Sequence, residues 1–112
     1  MDRITDRNVR SWIDRFVAAV TDRYAPEKIL LFGSRARGDH LVESDVDILI
    51  VSKKFEGINW LKRISDVSLH WDGMVTLEPL CYTPAEFEEK KRMIGIVSQA
   101  VKEGIDLKTQ SN

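Results

Sequence analysis

The chain has 112 residues, 43% hydrophobic and 31% charged, with 17 Lys and Arg against 18 Asp and Glu for a formal net charge of −1. A chain of this length buries about 60–70% of its unfolded surface, enough for one core and not two, and its near-neutral balance argues against tight, sequence-independent binding to long nucleic acid. A single cysteine, Cys81, excludes an intrachain disulfide and fits a reducing, cytoplasmic setting, while the charged start Met1-Asp2-Arg3 is no signal pattern and no run approaches the ~20 apolar residues that span a bilayer.

The first predicted element is a helix near residues 6–24, where Val9, Trp12, Ile13, Phe16, Val17, Val20 and Tyr24 recur at helical spacing as one apolar face. Lys28-Ile29-Leu30-Leu31-Phe32, bounded by Pro26 and Gly33, reads as a buried strand. At Gly33-Ser34 the chain turns. Glycine there permits backbone angles barred to other residues and a close approach of ligand, and Ser34 offers a hydroxyl and an amide donor. Ser34-Arg35-Ala36-Arg37 then forms a short helical turn closed by Gly38-Asp39; Arg35 and Arg37 add permanent positive charge beside donors suited to phosphate.

Ser44-Asp45-Val46-Asp47-Ile48-Leu49-Ile50-Val51-Ser52 is apolar and β-branched in its second half, as expected of a strand covered on both faces. Asp45 and Asp47, two apart, point to the same side about 6.5–7 Å from each other, so both carboxylates suit one hard cation. Lys53 to Gly57 makes a loop. Trp60, Leu61, Ile64, Val67 and Trp71 mark a second helix stopped by Asp72-Gly73, and all three tryptophans fit core stripes.

A third strand lies within Met74-Val75-Thr76-Leu77-Glu78-Pro79-Leu80-Cys81-Tyr82, where Glu78 is the sole acid. Thr83, Pro84 and Glu86 form the start signal of the last helix, so that strand ends near Tyr82. This helix carries Phe87, Ile94, Val97 and Val101, kinks at Gly95 and stops before Gly104, and Thr109 to Asn112 reads as a frayed tail. The loop residues Asp39, His40 and Glu43 need no function, Lys53-Lys54 reads as solubilising, and His40 and His70 form no metal pattern with Cys81. The element order gives one α/β (α+β) domain over residues 1–112, core about 6–107, with a small mixed sheet, helices mainly on one face and a site at the open edge.

Gly33-Ser34, ten residues, then Asp45-Val46-Asp47, with a later acid on a neighbouring strand, resembles the DNA polymerase beta-like nucleotidyltransferase superfamily. More closely, Leu31-Phe32-Gly33-Ser34-Arg35-Ala36-Arg37-Gly38, the Asp45 strand and Tyr82-Thr83-Pro84-Ala85-Glu86-Phe87 resemble the small, single-domain minimal nucleotidyltransferases. The resemblance implies that Asp45, Asp47 and Glu78 hold Mg²⁺ and act in catalysis, with Glu at 78 where the family usually has Asp. It implies that Gly33, Ser34, Arg35 and Arg37 bind the phosphates of ATP.

Stand-alone members of this family are similar to antitoxins that place AMP on a tyrosine of a HEPN-domain ribonuclease toxin. A neighbouring all-helical protein with an Arg-x4-His-x-Tyr motif is therefore the expected partner. Two other readings stay open: a non-catalytic module that blocks its partner by occlusion, and a small-molecule nucleotidyltransferase of the aminoglycoside type working as a homodimer.

Overall fold

The structure, a computed structural model, describes residues 6–110. Helix α1 (Asp6–Tyr24) buries the whole apolar face expected of it, Val9 through Tyr24. It ends at Ala25, whose φ of 43° is left-handed and whose N–H donates to the Thr21 carbonyl at 3.1 Å; Pro26 prevents another turn. Strand β1 (Lys28–Phe32) leads into the one-turn helix α2 (Ser34–Arg37), and a loop returns the chain to β2 (Val46–Val51).

β1 and β2 pair antiparallel with Phe32 opposite Asp47. A 3₁₀ turn at Lys53–Phe55 and helix α3 (Trp60–Ser68) carry the chain over to β3 (Leu77–Tyr82), which pairs parallel with β2, Asp47 opposite Glu78. Helices α4 (Pro84–Lys90) and α5 (Ile96–Glu103) follow, then the two-residue strand β4 (Ile105–Asp106) and α6 (Leu107–Gln110). The sheet is mixed, in the order β3-β2-β1-β4. An edge position for β3 explains how Pro79, which has no N–H, sits within a strand.

Alternation along the strands separates two cores. Ile29, Leu31, Val46, Ile48, Ile50 and Cys81 face α1, Phe55 and Val67 in the larger cluster. Leu30, Phe32, Leu49, Val51 and Tyr82 face Phe87 of α4 and Val97 and Ala100 of α5 in the smaller. The sheet is thus an α/β layer with its thickest cover on one face, and Asp47 and Glu78 project on the thinner side, in phase with Leu49 and Leu80.

Four expectations need correction. The last helix is not one kinked rod: it stops at Lys90 and restarts at Ile96. Ser98 stabilises the break, its Oγ accepting from the Gly95 N–H at 3.4 Å and donating to the Gly95 carbonyl at 3.0 Å; the break leaves Ile94 105% exposed. Trp71 lies beyond α3, held edge-on to Phe16 at 5.7 Å with its Nε1 donating to the Val75 carbonyl. Trp60 is 38% exposed, at the free end of α3, so it belongs to no core stripe. Finally, α6 takes in Thr109 and Gln110 of the expected tail; residues 111 and 112 lie outside the described residues.

Candidate active site

Gly33 is the corner on which the site turns. Its φ is 76°, and a Cβ built on it would collide with the carboxylate of Asp47, so both conformation and space require glycine. The Gly33 carbonyl accepts from the N–H groups of Ala36 and Arg37, each at 3.1 Å, which starts α2. Gly38, with φ 86°, closes α2, its N–H donating to the Ser34 carbonyl at 2.9 Å. Ser34 thus opens α2 directly after the Gly33 corner, against which the carboxylate that β2 delivers is packed.

Phe32, Asp47 and Glu78 lie abreast on three adjacent strands. The three predicted acids form one electrostatic cluster. Burial first, then the charges of Glu78 and Asp45, push the Asp47 carboxyl above the usual carboxylate range, against a smaller pull from Arg37. A hydrogen bond with Asp45, then burial and the Asp45 charge, push Glu78 upward. Hard oxygen donors that repel one another are the kind of set a divalent cation relieves. Among the described residues, however, no three acidic, histidine or cysteine side chains are drawn together as a closed metal cage.

The two arginines have separate placements. Arg35 is buried, and its Nε and Nη2 donate to the carbonyls of Ser44 and Val42 at 3.0 and 3.1 Å. Its guanidinium thus anchors the loop that leads to Asp45, where the sequence reading expects it on phosphate. Arg37 is exposed and donates to Asp39 at 3.1 Å and to Glu103 at 3.0 Å.

Glu103 is the residue that sequence reasoning missed. Its Oε1 accepts from the Gly33 N–H at 3.1 Å as well as from Arg37, and its Oε2 accepts from Gln99 Nε2 at 3.1 Å. Its side chain is 14% exposed. The Gln99 hydrogen bond first, then the Gly33 N–H and Arg37, hold this carboxyl below its usual range. In sequence the only hint is an acid in the last turn of α5, where the helix dipole disfavours it.

Past Glu78 the thin face opens into a cavity of about 360 Å³, lined by Asp47, Glu78, Phe32, Trp60, Leu80 and Ile96 among others. Trp60 stacks at a tilt on Tyr82, ring centroids 5.0 Å apart. Cys81, on the opposite face, takes no part: burial pushes its thiol up to about 12, which leaves no thiolate at neutral pH.

The sequence profile of the nucleotidyltransferase domain matches residues 13–111. Two Methanocaldococcus jannaschii proteins, each named as a candidate protein adenylyltransferase, are similar: one is 52% identical over 46 residues, covering 39% of this chain and 46% of the relative. The other is 38% identical over 60 residues, covering 50% of this chain and 59% of the relative. The matched stretches thus span about half the length of these curated relatives. A solved Sulfolobus solfataricus structure, described as a candidate nucleotidyltransferase, superposes with a TM-score of 0.63 at 28% identity, covering 88% of this chain and 80% of that one.

Proposed function

Because the chain belongs to the nucleotidyltransferase domain family, we propose that it transfers AMP from ATP to a hydroxyl on a partner protein, a tyrosine of a HEPN ribonuclease toxin, and so acts as an antitoxin in the cytoplasm. The observation that carries this reading is the placing of Asp47 between the Gly33 turn and Glu78. The name of the two archaeal relatives supports a protein acceptor.

Asp45, Asp47 and Glu78 are the residues that would hold Mg²⁺, which when bound supplies charge to offset the triphosphate and the leaving pyrophosphate. Gly33 closes the turn against Asp47, and Ser34 donates to the outer phosphates. Arg37 adds charge at the same turn, while Arg35 fixes the loop that aims Asp45. The acceptor oxygen bonds to the α-phosphorus as the bridging oxygen of pyrophosphate departs with the bonding electrons. Glu78 draws the proton off the attacking hydroxyl and passes it to solvent.

Two observations favour a second reading, a partner-blocking module. Glu103 already occupies the Gly33 amide, and position 78 carries Glu where the family resemblance implies Asp. The experiment is intact-mass measurement of the co-expressed HEPN neighbour, with and without the Asp47→Asn variant. Addition of adenylate units that the variant abolishes supports the enzyme; stoichiometric inhibition with no added mass replaces it with the blocker.

A further inference from the structure

From two surfaces that the transfer chemistry leaves unused, we propose that the chain pairs with a second copy of itself, the Leu41-Val42 turn of each copy seated in a hollow beside the α4–α5 break of the other. The first surface is a turn held from both sides. Its Leu41 N–H donates to Ser44 Oγ at 2.8 Å and its Ser44 N–H to the Leu41 carbonyl at 3.0 Å, while the buried Arg35 donates to the carbonyls of Val42 and Ser44. His40 meets Asp6 of α1 at 3.0 Å and fastens the near end. Yet the apolar side chains at the tip stay in water, Leu41 78% and Val42 57% exposed. An apolar pair on a backbone already fixed gives up little conformational freedom when it is covered, which is the property of a binding anchor.

The second surface belongs to the other layer. Where α4 stops and α5 restarts, Met93 and Ile94 are exposed at a hollow of about 510 Å³ that Arg92, Gly95, Ser98 and Lys102 also border. None of Glu43, Arg92 and Lys102 takes part in a salt bridge among the described residues. Glu43 is exposed and adjoins Val42 in sequence. One surface is therefore an apolar knob with an unpaired acid at its shoulder, and the other an apolar hollow with two unpaired cations at its rim. Their charges are complementary.

One chain cannot join its own two surfaces. The turn is tied to α1, which packs in the larger core on the thick side of the sheet, whereas the hollow adjoins α5, which packs in the smaller core on the thin side. A second copy can bring them together. Every copy carries both surfaces, so a two-fold axis makes the contact twice, knob in hollow and hollow around knob. That doubling matters, because a single small knob buries less area than a specific interface needs. Neither surface includes Asp47 or Glu78, so the pairing stands independently of the transfer reading.

Sedimentation equilibrium of the full chain over micromolar concentrations tests the pairing. The expected result is a monomer–dimer equilibrium that weakens as salt is added. Glu43→Arg and, in a separate chain, Arg92→Glu are each expected to weaken pairing about tenfold or more, since each sets like charges against one another at both contacts. In a mixed pair of the two variants one contact has its charges exchanged and the other is as in the parent. Mixing them is therefore expected to restore dimers at close to the parent affinity, a gain that a misfolded variant could not give. A monomer at every concentration, pairing untouched by both substitutions, or a mixture that associates no more tightly than its components overturns the proposal.

Discussion

Glu103 holds the amide of Gly33 at 3.1 Å, the donor that the turn would otherwise offer to a phosphate oxygen. The same Oε1 also takes Arg37 at 3.0 Å, so one carboxylate oxygen engages two groups that suit an incoming triphosphate. A bound anion has to displace it against like-charge repulsion. Glu103→Gln keeps an acceptor for Gly33 and removes the charge. It is expected to tighten ATP binding roughly fivefold, measured by titration calorimetry with ATP and repeated with pyrophosphate alone. Weaker binding in the variant would instead make Glu103 a prop that shapes the turn.

Two substitutions at one contact are expected to move stability in opposite directions. Asp47 is disfavoured as an anion by burial and by its acidic neighbours, so Asp47→Asn should abolish transfer while its Tm stays level or rises. Gly33→Ala forces a Cβ into that carboxylate at φ 76° and should cost about 1–3 kcal/mol, which for a domain of this size lowers Tm by roughly 4–8 °C per kcal/mol. Thermal unfolding of both proteins, beside an adenylate-transfer assay, checks the pair. A destabilised Asp47→Asn protein would mean that the carboxylate is a structural ligand of the turn.

Arg35 and Arg37, two residues apart, separate cleanly by role. Removing Arg35 strips the carbonyls of Ser44 and Val42 of a buried charged donor. Arg35→Ala is therefore expected to cost about 2–3 kcal/mol in urea unfolding, and to lower kcat through the position of Asp45. Arg37→Ala removes the pairs of a half-exposed guanidinium, so its stability should stay close to the parent while its affinity for ATP changes. Equal stability of the two variants would contradict this division.

What could be read from the residues is what local physics determines. The stripe from Val9 to Tyr24 has one period and one face, so α1 emerged whole, and the Thr83–Glu86 box with Pro84 marked the start of α4 to the residue. Gly33, Asp45 and Asp47 were legible because a turn and a two-residue spacing confine them to one end of two strands. Glu103 was not, because its contact with Gly33 spans 70 residues and depends on the break between α4 and α5, which no period announces. Trp60 was misread for a related reason: an indole at helical spacing looks like core until the sheet edge beside it is seen to lack a cover. Arg35 was read beside the phosphates because it follows Gly33-Ser34 directly, whereas its burial depends on the return of the loop, whose Ser44 and Val42 carbonyls accept from it.

Acid sensitivity offers a measure of the packing beneath the site. Arg63 is buried and donates to Glu86 Oε1 at 2.7 Å, to the Ile58 carbonyl at 2.7 Å and to the Cys81 carbonyl at 3.2 Å, tying α3 to β3 and α4. The Arg63 hydrogen bond, followed by the Thr83 N–H and the Arg63 charge, holds the Glu86 carboxyl below its ordinary range. A carboxyl whose folded value is depressed stabilises the fold fully above its unfolded value, near pH 4.3, and loses that contribution as pH falls through the folded value. Glu86→Gln retains the helix cap and lacks the charge. With the Glu86 side chain 42% exposed, the variant should be less stable at pH 7 by only about 1 kcal/mol. Its deficit should hold at pH well above about 4.3 and shrink as pH falls below that value and through the depressed folded value. Asp47 and Glu78 act with the opposite sign, their raised values making protonation favourable to the fold, and they are common to both proteins, so the difference between the two Tm curves isolates Glu86. Curves that run parallel down to pH 3 would show that Arg63 is held by the carbonyls of Ile58 and Cys81 alone.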